Sequence, residues 1–341
     1  MRYRLLGRTG LRVSELFLGA MTFGEQDGMG APLDECARML DVYAEAGGNV
    51  VDTAINYRAG ASEAIVGELL AGRRDRFVLS TKYTVSRDGS DPNAAGNHRK
   101  NLTLSLETSL RRLGTDYIDL YWVHIWDRNT PIEETTRALD DAVRSGKVLY
   151  VGISDAPAWV VARANTLAEW HGWTPFSALQ VPYSLLSRDI EREILPMAEA
   201  FGMSVAAWSP LQNGILSGKY TDPGAGTGAP TRLPAEAIGE HERAVAEAVR
   251  SAADALGASP AQVALAWTMA RSPAVHPIVG ARTAAQLTDN LGAAGLELPE
   301  DVIAGLESAT GFRPGFPSDF LDDTAAWVYG TSGRRVVPRR V

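Results

Sequence analysis

Eight short runs of β-branched and aliphatic residues, most of them followed by a longer stretch of helical period, constrain this chain more than any other feature. The runs cover 16–19, 49–52, 77–81, 118–124, 148–154, 178–181, 204–208 and 275–279, and their length and composition predict strands. Between them, Leu102, Leu106, Leu110 and Leu113 fall on one helical face, as do Ile132, Thr136, Leu139 and Val143. Ser62, Thr130-Pro131 and Ser259-Pro260 mark helix starts, where a capping side chain or a proline suits the first turn. Strand and helix in alternation imply a parallel sheet with helical crossovers. Such units either open as a doubly wound sheet or close as a (β/α)8 TIM barrel. The open sheet carries G-x-G-x-x-G after its first strand, whereas this strand runs into Leu18-Gly19-Ala20-Met21-Thr22-Phe23-Gly24. The glycines of Gly224-Ala225-Gly226-Thr227-Gly228 lie between Pro223 and Pro230, open no helix, and read as a flexible connection or lid. The α/β barrel is the predicted fold.

A chain of 341 residues fits one barrel domain spanning 1–341. Residues 1–15 predict a hairpin plugging the barrel floor, turning at Gly7-Arg8-Thr9-Gly10. After Leu291 a tail rich in Gly, Pro and aromatics runs over the barrel and ends with Arg334, Arg335, Arg339 and Arg340, a solvated terminus. The net charge of −8 argues against a nucleic-acid partner, which needs a basic face. A single cysteine, Cys36, excludes an internal disulfide and a thiolate metal cluster; its helical context reads as core packing. There is no signal peptide and no apolar run long enough for a membrane span, so a cytoplasmic protein with no membrane partner is expected. Nothing in the pattern calls for an oligomer.

A parallel barrel presents its chemistry at the C-terminal ends of its strands. Strand two ends in Asp52 and continues to Tyr57; strand three ends in Lys82; strand four ends in His124. A phenol is a poor acid at neutral pH, and a nearby ammonium favours phenolate, so Lys82 is expected to lower the Tyr57 pKa. Asp52 is suited to hold Lys82 charged, and His124 to orient a carbonyl beside Tyr57. Taken singly, Asp52 and Lys82 would read as a structural ion pair and His124 as a satisfied core histidine; joint placement at three successive strand ends argues for chemistry.

These residues carry a resemblance. Asp52-Thr53-Ala54-Ile55-Asn56-Tyr57 with Ala61-Ser62-Glu63, Leu79-Ser80-Thr81-Lys82 and Leu120-Tyr121-Trp122-Val123-His124 together look like the aldo-keto reductase superfamily. The resemblance continues through Val151-Gly152-Ile153-Ser154-Asp155, Gln180-Val181-Pro182-Tyr183-Ser184, Trp208-Ser209-Pro210-Leu211 and Gly280-Ala281-Arg282. The stretch Ala95-Gly96-Asn97-His98-Arg99-Lys100-Asn101 resembles the aryl-alcohol-dehydrogenase-like branch. The resemblance implies an NADP(H)-dependent oxidoreductase that reduces an aldehyde or ketone, with Tyr57 as proton donor, Lys82 and Asp52 tuning it, and His124 orienting the substrate.

It also implies the cofactor contacts. Ser154 and Gln180 would bind the nicotinamide carboxamide, Trp208 would stack on the ring, and Met21 and Asp52 would flank its ribose. Ser209, Leu211, Gly214 and Lys219 would line the pyrophosphate. Gly280, Ala281, Arg282, Gln286 and Asn290 would hold the adenosine end, with Arg282 facing the 2′-phosphate; a guanidinium fork suits a phosphate dianion. Many relatives have Asn where this chain has Asp155, and some have Arg where it has Gln286. A carboxylate only accepts hydrogen bonds, whereas an amide also donates.

Other classes fit less well. A metal-dependent barrel hydrolase needs several His and carboxylate ligands at strand ends, and of five histidines only His124 stands at one; His276 begins strand eight at the opposite face. No metal is expected. No tyrosine is followed four residues later by lysine, as the short-chain dehydrogenases require. Potassium-channel β subunits of the same superfamily act through a partner, and slow turnover with retained nucleotide would mark that role. Specificity is expected from 83–97, 126–129, 212–232 and 313–329. Trp126, Phe312, Phe316 and Trp327 in and beside them suggest an apolar or aromatic carbonyl substrate, or else pin the tail.

Overall fold

A computed structural model describes residues 1–25, 30–221 and 233–330. Strands β1 (Tyr3–Leu5) and β2 (Arg12–Ser14) pair antiparallel, Tyr3 opposite Ser14 and Leu5 opposite Arg12, so the expected hairpin forms. The barrel consists of β3 (Phe17–Gly19), β4 (Val50–Asp52), β5 (Val78–Tyr83), β6 (Ile118–Val123), β7 (Val148–Ser154), β8 (Phe176–Pro182), β9 (Ser204–Trp208) and β10 (Val275–Val279). Each strand pairs in parallel with the next, and β10 closes the circle on β3 by setting Ile278 beside Phe17 and Val279 beside Leu18.

Side chains alternate between the two faces of each strand, which divides the core in two. Leu18, Val51, Leu79, Tyr121, Ile153, Leu179 and Val205 face outward into a large cluster with the helices. Phe17, Val50, Val78, Leu120, Trp122, Ala178, Ala206 and Ile278 fill the lumen, joined by Leu6 and Val13 of the hairpin. The floor is thereby plugged. Gly152 on β7 makes room for the Trp122 indole; a Cβ there would come within 2.3 Å of it.

Helices α1 (Leu33–Glu45), α2 (Ala61–Leu70), α3 (Arg99–Leu113), α4 (Ile132–Arg144), α5 (Ala158–His171) and α6 (Ile194–Phe201) follow successive strands, and α7 (Glu240–Leu256) precedes α8 (Pro260–Ala270) and α9 (Ala284–Leu291). The leucine face of α3 is buried as the spacing predicts. Of the three expected helix starts, Ser259 forms a full capping box with Gln262. Ser62 instead lies inside the first turn of α2, its buried hydroxyl donating to the Ala20 carbonyl at 2.7 Å, while Thr130 donates to Asp127 at 2.6 Å. Ser62 is drawn away from capping by a carbonyl 42 residues distant, and Thr130 by a carboxylate three residues before it. Buried Cys36 packs as a small hydrophobe, and burial pushes its thiol up to about 11.

The tail contains more helix than its composition suggests: α10 (Glu300–Thr310), which contacts α7, then α11 (Ser318–Asp323) and α12 (Ala325–Tyr329). Phe312 lies against two guanidinium groups, 4.8 Å from Arg188 and 4.9 Å from Arg192. The glycine run 224–228 and the four terminal arginines lie outside the described residues. Among the described residues no helix is long and apolar enough to cross a membrane.

Candidate active site

Barrel closure brings Asp52, Lys82 and His124 together at one rim. Lys82 is wholly buried, its Nζ 2.5 Å from Asp52 Oδ2 and 2.7 Å from the Thr53 carbonyl. The other Asp52 oxygen accepts from Ser80 Oγ at 2.5 Å and from Gln180 Nε2 at 3.2 Å. A buried pair of this kind survives because its remaining hydrogen-bonding capacity is taken up. The Lys82 ammonium stands 4.8 Å from the centroid of the Tyr57 ring, and the Tyr57 and His124 rings meet edge to face at 5.8 Å.

The loop presenting Tyr57 is held by Arg112, for which the sequence carries no signal, and by Glu63. Arg112 of α3 donates to the Ile55 carbonyl at 2.9 Å and pairs at 3.2 Å with Glu63, which also accepts from Thr81 at 2.7 Å. Arg58 and Ala59 adopt left-handed backbone conformations, and Gly60 at φ 95° lies so close to Arg112 that a Cβ would come within 2.3 Å of its guanidinium carbon. Only glycine fits there. Nothing in the doublet Arg111-Arg112 distinguished this arginine from a solvated helix charge. A glutamate within the largely apolar α2 stretch was the available clue to Glu63.

The electrostatics correct one expectation. Burial raises the Tyr57 pKa more than Lys82 lowers it, so the phenol sits above its ordinary range rather than below. The opposing pull of Lys82 is present but is outweighed. Lys82 itself is raised: burial works against its charge, but Asp52 and Tyr57 prevail. His124 is held neutral, pushed down to about 3 by burial first and by Lys82 second. Its Nδ1 is buried with no partner among the described residues.

Above this cluster lies a cleft of about 760 Å³, within the usual range for a ligand site. Asp52, Tyr57 and His124 reach its wall, with Lys82 enclosed beneath them. Met21 joins from the segment after β3, Ser154 and Gln180 from β7 and β8, and Trp208 from β9. The chain beyond β9 adds Ser209, Leu211, Gly214 and Lys219; the chain beyond β10 adds Gly280, Ala281, Arg282, Gln286 and Asn290. The Trp208 indole is 37% exposed, and its N–H donates to Asp155 at 3.1 Å. Thr283 caps α9, the Arg282 N–H donates to Gln286 at 3.0 Å, and Glu35 of α1 accepts from the Ala284 N–H. Nothing local in the sequence singles out Glu35, whose partner lies across the barrel seam.

These residues fit an extended dinucleotide. Side-chain amide and hydroxyl groups at Gln180 and Ser154 stand beside an exposed indole face. Gly214 and Gly280 open the wall farther along, and Lys219 and Arg282 supply cations there. The four loop aromatics do not contribute: Trp126 stands edge-on to Trp159 at 5.7 Å, Phe312 meets the two arginines, and Phe316 and Trp327 are 84% and 82% exposed. None of the four lines the cleft. The apolar wall near His124 comes instead from Val85 and Ile125.

Residues 15–310 match the aldo/keto reductase family. Norsolorinic acid reductase of Aspergillus flavus is 40% identical over 345 aligned positions, covering 97% of this chain and 86% of the relative. Norsolorinic acid reductase of Emericella nidulans is 42% identical, covering 94% of this chain and 84% of the relative. An aryl-alcohol dehydrogenase of Pestalotiopsis microspora is 39% identical, covering 94% and 85%. A closed parallel barrel, a buried Lys–Asp pair beneath a tyrosine, and likeness along nearly the whole chain agree: the protein belongs to the aldo/keto reductase family and is an oxidoreductase.

Proposed function

We propose that this chain, working as one domain over 1–341, is an NADP(H)-dependent enzyme of the cytoplasm that reduces an aldehyde or ketone to an alcohol, with Tyr57 as the proton donor. The observation that carries the reading is the Lys82–Asp52 pair buried directly beneath the Tyr57 ring. The nicotinamide, when bound, supplies the hydride. Ser154 and Gln180 would hold its carboxamide, Trp208 its face, and Met21 and Asp52 its ribose side. Ser209, Leu211, Gly214 and Lys219 would take the pyrophosphate; Gly280, Ala281, Gln286 and Asn290 would take the adenosine; and Arg282 would take the 2′-phosphate, which favours NADP over NAD.

Tyr57 gives its proton to the carbonyl oxygen. Its raised pKa keeps the phenol loaded at neutral pH, which suits the reductive direction. As the proton leaves, the phenolate gains the Lys82 ammonium as its counter-charge, and Asp52 keeps that ammonium charged and aimed. His124 stays neutral and donates a ring N–H to the substrate oxygen. The Arg112 clamp removes freedom from the loop that presents the phenol. An aromatic carbonyl substrate is supported by the apolar wall of Val85 and Ile125 and by relatives named for norsolorinic acid and aryl alcohols.

Tyr57→Phe tests the reading. NADPH affinity, followed by quenching of protein fluorescence, stays within about twofold, while reduction of an aromatic aldehyde falls by roughly 10²–10⁴-fold. Near-full activity in this variant would mean that the proton comes from elsewhere.

A further inference from the structure

Among the groups facing the cleft, Asp155 takes no part in the proton chemistry above. It directly follows β7 with φ 48°, a left-handed conformation uncommon outside glycine and tolerated best by Asn and Asp. Its backbone N–H donates to the Gln180 carbonyl at 3.2 Å, which ties it to the rim. Its Oδ1 accepts from the Trp208 indole N–H at 3.1 Å. Asp155, Ser154, Gln180 and Trp208 all line the one cleft. Among the described residues Asp155 makes no ion pair, and the nearby Lys82 is already matched by Asp52. A carboxylate with no ion-pair partner among the described residues therefore stands beside the exposed indole. Burial raises its carboxyl above the usual range, while donation from Trp208 and Ser154 and the charge of Lys82 favour the ionised form.

The oxidised and reduced nicotinamide rings have nearly the same shape and differ by one positive charge. A neutral side chain beside the ring distinguishes them little; a carboxylate attracts only the cationic form. Donation from the indole N–H to the carboxylate also pushes electron density toward the indole face, which strengthens its attraction for a cation.

We propose that Asp155, acting with Trp208, is a positioning residue that selects the oxidised nicotinamide cofactor over the reduced one. This rests on the nicotinamide reading of the cleft given above. The fixed charge tightens binding of NADP⁺ relative to NADPH. It thereby slows release of the oxidised cofactor after each reduction. By linkage it biases the bound equilibrium toward the alcohol.

Asp155→Asn separates charge from shape. The amide oxygen still accepts from Trp208, and asparagine tolerates the left-handed backbone. Both cofactors are titrated against purified parent, Asp155→Asn and Asp155→Ala proteins by calorimetry, with thermal melts to verify folding. The expected result is that Asp155→Asn weakens NADP⁺ about tenfold and leaves NADPH within about twofold. Asp155→Ala also frees the indole, so it weakens both cofactors and retains the selective loss of NADP⁺. Equal weakening of both cofactors in Asp155→Asn would reduce the residue to a structural tether, and no change in either would remove it from the site; each result overturns the proposal. A parent protein that binds neither form overturns the nicotinamide reading itself, and this proposal with it.

Discussion

The two ends of this barrel are built from similar materials and come to opposite uses. At the floor, buried Glu15 pairs with Arg2 at 3.1 Å and Arg4 at 3.9 Å, and the Arg2 side chain reaches solvent with 65% exposure. At the mouth, Asp52 and Lys82 are both enclosed. Each end also holds a histidine pushed down to about 3, mainly by loss of solvent, His276 fully buried and His124 half-buried. His276 stacks on Phe17 at 4.9 Å beneath the hairpin, whereas His124 meets the Tyr57 ring beside an open cleft. Burial and depressed basicity therefore do not mark chemistry. On the proposed reading, access marks it: the hairpin seals one end with Leu6 and Val13, and the other end stays open above a second proton-bearing group.

The sharpest way to break this contrast is to remove one charge at each end. Lys82→Met strands Asp52 without its cation, which costs about 3–5 kcal/mol and lowers the urea midpoint. Carbonyl reduction by the folded fraction falls at least about 10²-fold, because the phenolate loses its counter-charge. Glu15→Gln leaves arginines that solvent can reach, costs about 1–2 kcal/mol, and leaves activity per folded molecule intact. Equal losses of activity from the two variants would erase the distinction between floor and mouth.

The mouth itself divides into a reacting end and an anchoring end. Arg282→Ala is expected to weaken NADPH by about tenfold to a hundredfold, the worth of a charge-assisted contact, and to leave NADH within about twofold. Equal weakening of both would assign Arg282 to the start of α9, where its N–H meets Gln286, rather than to the phosphate.

The histidines give the smallest effect and the finest comparison. Both titrate lower in the folded chain, at about 3, than in the unfolded chain, at about 6.5. The unfolded chain therefore takes up protons first as pH falls. Stability is fully present above about pH 6.5 and declines toward pH 3, with a slope of up to about 1.4 kcal/mol per pH unit for each histidine. Urea midpoints at pH 7 and pH 5 should show a shallower decline in both His124→Asn and His276→Asn. Only the His124 variant should raise KM for the carbonyl. A KM change from His276→Asn would mean that the floor is coupled to the cleft.

Much of this was legible in advance, and the gaps have a common character. The eight strands emerged close to their predicted spans, because short aliphatic runs and the helical spacing between them are local properties. The rule that a parallel barrel gathers its strand ends then placed Asp52, Lys82 and His124 on one rim, and the chain beyond β9 and β10 on the cleft. Ser62 was misread because a serine near a helix start either caps or turns inward, and a carbonyl 42 residues away decided which. Arg112 went unnoticed because a helix-surface arginine and a loop clamp have the same local sequence. The tail aromatics could be read as substrate wall or as pins for the tail, because hydrophobicity does not reveal the path of the segment that carries it.

Tyr57 shows the division most clearly. Its expected place beside Lys82 follows from residue types and strand order alone, since the topology of a closed parallel barrel leaves them no other rim. The sign of its pKa shift does not follow. Lys82 and burial push in opposite directions, and burial wins. Order along the chain determines which groups can meet. The solvent each group loses is set by every atom packed around it, and those atoms come from strands and helices far apart in sequence, so only the assembled barrel decides the balance of charge.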